Sequence, residues 1–183
     1  MTGSPRVPTL DSHPRTPVRG GRHRLPAVTA RPVPGGRPWV EVALTALGVA
    51  AVDLVTKSWG STHAGDPEDA PFGIVRVGHV LNRGAALGLG ASHPTLVAAA
   101  EVAGIVVLLA WLTRALSRAE RLALAVAVGG AAGNLIDRLV HGAVTDWIQV
   151  PWYHPTFNLA DVAVRGGLLI ALALRASRGR TST

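Results

Sequence analysis

Two polar elements with the same spacing stand inside otherwise apolar stretches of this sequence. The run GGAAGNLIDRLV carries Asn134 and Asp137, and the run FNLADVAVRGG carries Asn158 and Asp161. Residues three apart share one face of a helix. Two carboxyl groups held close together share one proton, because like charges at close range cannot both ionise. One can then activate water while the other donates to a carbonyl oxygen, which is peptide hydrolysis without a covalent intermediate.

Most residues and motifs that other common hydrolytic mechanisms require are missing from this sequence. There is no cysteine, and neither an H-E-x-x-H nor a G-x-S-x-G motif is present. A serine–lysine dyad, Ser58 or Ser61 with Lys57, is a further option, although neither serine has a supporting motif. The seven histidines show no metal-ligand spacing, so we expect no metal site and no cofactor.

The elements that must position these groups are long apolar segments. The chain is 48% hydrophobic and only 16% charged, against about 25% charged in ordinary soluble domains. About 20 apolar residues cross the hydrocarbon core of a bilayer as a helix. Four such segments occur, at 39–59, 95–112, 121–139 and 158–174. The predicted fold is an all-α integral membrane domain over 39–175, with four transmembrane helices and a small extracytoplasmic β element.

Arginine and lysine residues outside these segments predict the orientation, since short cytoplasmic connections carry an excess of them. Seven occur within 1–38, a Pro- and Gly-rich stretch predicted to be a disordered basic cytoplasmic tail. Others lie between the second and third segments and in the C-terminal tail at 176–183. Both termini are therefore predicted to be cytoplasmic, which puts Asp137 and Asp161 near the outer surface. Because these charges flank the spans, we expect no nucleic-acid partner.

The two outer connections show a strand-like and an aromatic pattern. The run FGIVRVGHVLN (72–82) alternates with β-branched residues and predicts a short strand or hairpin. The run DWIQVPWYHPTF gathers Trp147, Trp152, Tyr153 and Phe157. Aromatic residues at this density beside a span are typical of the membrane interface, so this run is predicted to lie there.

Charged residues within the spans are expected to be functional or paired, because an isolated charge in lipid is costly. Asp53 and Lys57 are four apart in the first span and are predicted to form a structural ion pair. Arg165 lies one turn beyond Asp161 on the same face. Glu101 in the second span is expected to pair with a cation on a neighbouring helix.

Four motifs carry a resemblance to a known family. GNLIDR and FNLAD resemble the two catalytic motifs of lipoprotein signal peptidase (signal peptidase II), DLVTK resembles its helix 1 motif, and NRGAALG resembles its outer-loop Asn-x-Gly motif. The match has the right order and spacing between residues 39 and 174. The resemblance implies a four-helix aspartyl endopeptidase of the bacterial cytoplasmic membrane, with its active site near the extracytoplasmic face.

The same resemblance implies the site residues and the partners. The catalytic pair would be Asp137 and Asp161, with Asp53 and Lys57 as structural support. The other active-site residues would be Asn82, Gly84, Asn134, Arg138 and Asn158. The substrate would be a prolipoprotein cleaved before its lipid-modified cysteine, in contact with membrane lipid. Globomycin-type peptides would be inhibitors, and the first outer loop would form a small sheet that cradles the substrate.

The chain departs from the family pattern in places, and two other functions stay open. Leu87 stands where phenylalanine is usual, Val162 stands where a small polar residue is common, and Arg165 adds a charge to the fourth span. One alternative is a proton- or ion-coupled carrier that uses the intramembrane carboxylates as a relay. The other is an inactive relative that only binds lipidated precursors. The carboxylates cluster near one end of the spans, which favours the peptidase over the relay.

Overall fold

The helices and strands of the protein come from a computed structural model, which describes residues 38–64, 75–85 and 90–179. They are α1 (Pro38–Thr62), β1 (Arg76–Asn82), α2 (Pro94–Leu112), α3 (Arg118–His141), β2 (Val144–Val150), β3 (Tyr153–Phe157) and α4 (Leu159–Gly179). The predicted N-terminal tail up to residue 37, Leu87 and the end of the C-terminal tail lie outside the described residues.

Three of the described helices, α1, α2 and α3, are long and apolar enough to cross a membrane. Large apolar side chains on their outer faces are exposed, Leu44, Leu47 and Val107 among them, as is expected where helices meet lipid. α4 has 21 residues, but Asp161, Arg165 and two arginines near its end interrupt its apolar run, and it does not qualify by composition. The fourth transmembrane span therefore stays a prediction.

α3 is the central helix and packs against α1, α2 and α4. Its buried face consists largely of small residues, and Leu124, Ala125 and Ala127 are completely enclosed. Lipid tails are as apolar as leucine, so helices in a membrane associate through close packing rather than through the hydrophobic effect. Glycine permits the closest approach: a Cβ atom at Gly129 would lie 2.5 Å from the backbone oxygen of Ala46 in α1.

Replacement of Gly130 by alanine is expected to lower stability by about 1–3 kcal/mol, because overpacking forces the backbone to move. The new Cβ atom would lie 2.6 Å from the backbone oxygen of Ala160, at the start of α4. Gly166→Ala in α4 is the matched control, since nothing lies within 4 Å of its added methyl group. Thermal unfolding in detergent measures both variants. Equal melting temperatures for the two would contradict this account of the α3–α4 contact.

Helix caps set both ends of the β2–β3 hairpin. Gly142 ends α3 in the left-handed conformation (φ 74°), and its N–H donates to the carbonyl oxygen of Arg138 at 2.8 Å. Asn158 precedes α4, and its side-chain oxygen accepts a hydrogen bond from the N–H of Asp161 at 2.9 Å, as an N-cap residue does. The Asn-x-x-Asp spacing in FNLAD is therefore a cap, whereas the same spacing in GNLIDR lies within α3.

The two connections at this end of the helices join in one antiparallel sheet of order β1-β2-β3. β1 precedes α2, and the hairpin links α3 to α4. Asn82 pairs with Val144 and Val80 pairs with Asp146, with a register shift between Val77 and Val80. The sheet thereby ties the polar ends of three helices together, and β1 is the strand predicted within 72–82.

The aromatic run, predicted to lie in the membrane interface, forms the strands β2 and β3. Strand pairing decides where its side chains point, and its position relative to the membrane stays a prediction. Trp147 is 9% exposed and lies edge-on to Trp59 of α1, with 5.6 Å between ring centroids. A Cβ atom at Gly60 would clash with the same indole ring, so this glycine lets the sheet dock on α1. Trp152, at the turn of the hairpin, is exposed.

Candidate active site

A polar cavity of ≈ 190 Å³ lies where the sheet meets α2, α3 and α4. Its walls combine three carboxylates with amide, guanidinium and aromatic groups. They are formed by Asn82, Gly84, Ala85, Glu101, Asn134, Arg138, Val144, Asp146, Tyr153, Pro155, Thr156, Phe157, Asp161 and Arg165. We call this space the polar cavity.

The two aspartates of the polar cavity are Asp146 and Asp161, and they come from different elements. Asp146 lies on β2 and is 3% exposed. Its Oδ1 accepts a hydrogen bond from the Asn158 amide at 2.6 Å, and its Oδ2 accepts one from the Asn82 amide at 3.0 Å. Asp161, in the first turn of α4, accepts one from the Asn134 amide at 3.2 Å. Three asparagine amides therefore orient the two carboxyl groups.

Burial raises the pKa of Asp146 to about 6, well above the usual value for an aspartate. The hydrogen bond from Asn82 opposes this rise, whereas the negative charge of Asp161 adds to it. The hydrogen bond from Asn158 and the positive charge of Lys57 also oppose it, with smaller effects. Asp146 can therefore hold a proton close to neutral pH beside a second carboxylate, which is the condition for a pair with divided acid and base roles.

Asp137, which the sequence pairs with Asp161, does not line the polar cavity. It is 2% exposed and lies just before the last turn of α3. Its Oδ2 accepts a hydrogen bond from the backbone N–H of Thr145 at 2.6 Å, and its Oδ1 lies 2.7 Å from Nδ1 of His141. Asp137 thus anchors β2 at Thr145, the residue that precedes Asp146. Its predicted catalytic role stays a prediction, and the geometry pairs Asp146 with Asp161 instead.

Lys57 joins the buried polar groups of α1, α3 and α4. Its Nζ lies 2.7 Å from Asp53 Oδ2, which is the predicted ion pair, and 3.7 Å from Asp137 Oδ2. It also donates to the side-chain oxygen of Asn134 at 2.7 Å. The other oxygen of Asp53 accepts a hydrogen bond from the N–H of Ala160 at 2.8 Å. Lys57 and Asp53 therefore fix the amide of Asn134 and the first turn of α4, both of which orient Asp161.

Arg138 holds the chain that follows β1. Its guanidinium group makes two hydrogen bonds to Glu101 of α2, both 3.1 Å long. This pair supplies the cation that the sequence required for Glu101. The same guanidinium donates to the carbonyl oxygens of Arg83 (3.0 Å) and Gly84 (2.8 Å). The N–H of Gly84 donates to the side-chain oxygen of Asn82 at 3.0 Å. This bond orients the Asn82 amide so that its nitrogen donates to Asp146.

An apolar groove of ≈ 510 Å³ adjoins the polar cavity between α2 and α4. Its walls are mostly apolar side chains of the two helices and of α3. They are Glu101, Gly104, Val107, Leu108, Trp111, Ala131, Asn134, Asp161, Val164, Arg165 and Leu168. Four residues line both spaces: Glu101, Asn134, Asp161 and Arg165. The carboxylate of Asp161 therefore faces a polar space and a lipid-like space together. We call the second space the apolar groove.

Sequence reasoning missed Asp146 as a site residue. Its signal was present: an aspartate stands within AVTDWIQV, an apolar, β-branched run in an outer connection. The aromatic residues of the same run are its more prominent pattern, and they predict an interfacial segment instead. Among the described residues, no group of three or more His, Asp or Glu side chains is arranged to hold a metal ion.

Comparisons with known proteins place the chain among related sequences. The family model described as signal peptidase (SPase) II matches residues 45–176. The lipoprotein signal peptidase of Methylorubrum extorquens is 40% identical over 123 residues, or 62% of this chain and 71% of that protein. The lipoprotein signal peptidase of Syntrophomonas wolfei is 38% identical over 129 residues (68% and 85%). That of Yersinia enterocolitica is 36% identical over 147 residues (75% and 85%).

Two solved structures of bacterial membrane enzymes are also similar. One, determined at 2.3 Å resolution, has a TM-score of 0.68 and 23% sequence identity, and the match covers 78% of this chain and 91% of that chain. Another, determined at 1.9 Å, has a TM-score of 0.63 and 25% identity, over 73% and 90% of the two chains. The arrangement of helices and sheet is thus one that bacterial membrane enzymes adopt.

Proposed function

The chain belongs to the signal peptidase II family, and from this premise we propose that it is an aspartic endopeptidase that removes signal peptides from prolipoproteins. We propose further that it cleaves before a diacylglyceryl-modified cysteine. The observation that carries the chemistry is the pair of Asp146 and Asp161 in one polar cavity. The apolar groove beside it offers room for an acyl chain or for the apolar part of a signal peptide.

In the proposed reaction Asp146 holds the proton and Asp161 is the base. Asp161 takes a proton from a water molecule whose oxygen attacks the scissile carbonyl carbon, while Asp146 donates its proton to the carbonyl oxygen. When the tetrahedral intermediate collapses, Asp161 gives its proton to the leaving nitrogen and the C–N bond breaks. Asp146 regains a proton from a hydroxyl group of the intermediate. Both carboxyl groups then return to their starting states without a covalent intermediate or a metal.

Electrostatic surroundings support this division of roles. Burial and the neighbouring carboxylate raise the pKa of Asp146, which favours its protonated form. Asp161 lies at the N-terminus of α4, where the helix dipole favours negative charge. Arg165 Nη2 lies 3.9 Å from Asp161 Oδ2 and adds a positive charge on the same side. Arg165, unexpected in this family, therefore favours the negatively charged form of Asp161, which is the form that can act as the base.

We place the polar cavity near the extracytoplasmic face of the bacterial cytoplasmic membrane, with both termini cytoplasmic and α4 as a fourth span. Basic side chains support this orientation, because they gather at the other end of the helices: Arg114 after α2, Arg118 at the start of α3, and Arg175 in α4. A prolipoprotein would enter sideways from the lipid through the apolar groove. Globomycin-type peptides would compete for the polar cavity.

The proposed function predicts cleavage of a diacylglyceryl prolipoprotein by the purified protein. Mass spectrometry of the products is expected to find the released signal peptide and a chain that begins with the modified cysteine. The same precursor without its lipid is the control, and its cleavage should be weaker because it cannot fill the apolar groove. Binding of the lipidated precursor without cleavage would reject the enzymatic proposal and leave a non-catalytic relative.

The pH dependence of cleavage is expected to follow the proton on Asp146. Below its pKa of about 6 Asp146 carries the proton that it must donate, so kcat/KM should fall as pH rises through that value. The Asn82 hydrogen bond lowers the pKa of Asp146. Asn82→Ala should therefore move the falling limb of the pH profile of kcat/KM to higher pH, in addition to any loss of rate. A limb that stays in place, measured with a fluorogenic lipidated peptide, would contradict the role of Asp146 as the acid.

A further inference from the structure

A third space, of ≈ 380 Å³, lies at the ends of α2 and α4 that are remote from the polar cavity. It is lined by Val107, Ala110, Trp111, Arg114 and Arg175. We call it the arginine–tryptophan cavity. It contains no carboxylate of the proposed reaction, but it combines two guanidinium groups with an aromatic ring and aliphatic side chains.

The two arginines of this cavity keep donors for a ligand. Nη1 of Arg114 donates to the carbonyl oxygen of Ala110 at 3.1 Å, and Nη1 of Arg175 donates to Glu120 Oε1 at 3.2 Å. A guanidinium group has five N–H donors, so each contact uses a small part of that capacity. Glu120 is completely buried and offsets one positive charge. Arg114, Arg175 and Glu120 together therefore carry one net positive charge.

Trp111 forms a fixed wall between the charged and the apolar parts of the cavity. Its Nε1–H donates to Glu120 Oε1 at 3.0 Å, and the guanidinium carbon of Arg175 lies 6.0 Å from its ring centroid. Trp111 and Val107 also line the apolar groove. A ligand with an anionic head in the cavity could therefore lay an apolar tail along α2.

We propose that the arginine–tryptophan cavity binds the phosphate headgroup of an anionic phospholipid, with Arg114 and Arg175 as its ligands. Arginine matches phosphate geometry through paired N–H donors. Basic pockets between membrane helices on the cytoplasmic side bind anionic headgroups, and tryptophan is typical of the headgroup level. A basic end of a signal peptide would be repelled by the same charges. The lipid is therefore a separate partner from the substrate.

Lipid binding can be measured by native mass spectrometry of the purified protein in detergent. The protein is titrated with phosphatidylglycerol or with phosphatidylcholine of the same acyl chains. We expect the protein to retain phosphatidylglycerol and to release phosphatidylcholine. Arg114→Gln should weaken phosphatidylglycerol binding about five-fold, the effect of one arginine near a lipid surface. Arg114 is exposed and lies beyond the end of α2, so its loss should leave the fold intact.

Arg118→Gln is the matched control. Arg118 lies at the same end of the helices and is 70% exposed, but its Nε contacts Glu41 at 2.8 Å and it does not line the cavity. Equal weakening by the two variants would indicate diffuse surface charge and overturn the proposal, as would equal retention of the two lipids. Displacement of phosphatidylglycerol by inorganic phosphate would also overturn it, since the site would then take the free anion.

Discussion

Asp146→Asn and Asp161→Asn are each expected to lower kcat/KM for prolipoprotein cleavage by about 10²–10⁴-fold, the contribution of a positioned acid or base. Asparagine keeps the shape of each side chain but can neither give up nor take up the proton. Both residues line the polar cavity, and amide hydrogen bonds of 2.6–3.2 Å hold both carboxyl groups. Initial rates with a diacylglyceryl precursor, normalised to folded protein, measure the effect.

Asp137→Asn distinguishes between two candidate catalytic pairs: Asp146 with Asp161, which share the polar cavity, and Asp137 with Asp161, which the sequence predicts. Asp137 is bound to Thr145 N–H and lies near Lys57 and His141, so the variant is expected to lose stability and to retain cleavage by the folded fraction. Loss of cleavage at an unchanged melting temperature, together with full cleavage by Asp146→Asn, would restore Asp137 as the partner of Asp161. Full cleavage by Asp161→Asn would remove the two-carboxylate mechanism altogether.

Lys57→Met is expected to lower stability by about 3–5 kcal/mol, the effect of breaking a buried ion pair. Lys57 is 3% exposed, and its ammonium group is 2.7 Å from Asp53 and 3.7 Å from Asp137. Methionine fills a similar volume but leaves both buried carboxylates without this cation. Thermal unfolding in detergent measures the loss, and kcat/KM should fall as well because Asn134 loses the donor that orients it.

A double variant tests the cause of that loss. Asp53→Asn combined with Lys57→Met removes one of the two carboxylate charges that lose Lys57, so it should unfold at a higher temperature than Lys57→Met alone. Arg118→Met is the exposed control: Arg118 is 70% exposed and its partner Glu41 is 43% exposed, so the change in stability should be small. If Lys57→Met melts like the wild-type protein, the buried network does not hold the helices together as proposed.

Local patterns predicted the helices well because each long apolar run can satisfy its backbone only as a helix in lipid. The predicted segment 95–112 differs from α2, Pro94–Leu112, by one residue. The predicted segment 121–139 is shorter than α3, Arg118–His141, because caps rather than hydropathy set the ends: Ser117 accepts a hydrogen bond from the N–H of Glu120, and Gly142 closes the other end. Strand β1 was predictable from its alternation for the same local reason.

Spacing alone could not show which carboxylate meets Asp161. The matching Asn-x-x-Asp elements favoured Asp137, but one of them is a helix cap and the other lies within a helix. The residue that shares the polar cavity with Asp161 lies on β2, where pairing with β1 brings its carboxyl group to Asn82. That contact joins positions 64 apart in the chain, so no local pattern records it.

The amino-acid sequence thus carried the membrane class of the protein, its family, and most of the polar groups of the site, because these depend on composition and short motifs. Folding in three dimensions decided which of these groups lie together. It turned the aromatic run into a hairpin, directed Asp137 toward Lys57 and Thr145, and set Asp146 beside Asp161. The physical reason is that a carboxyl group acquires its pKa and its partners from burial and neighbouring charges, which elements distant in the chain supply.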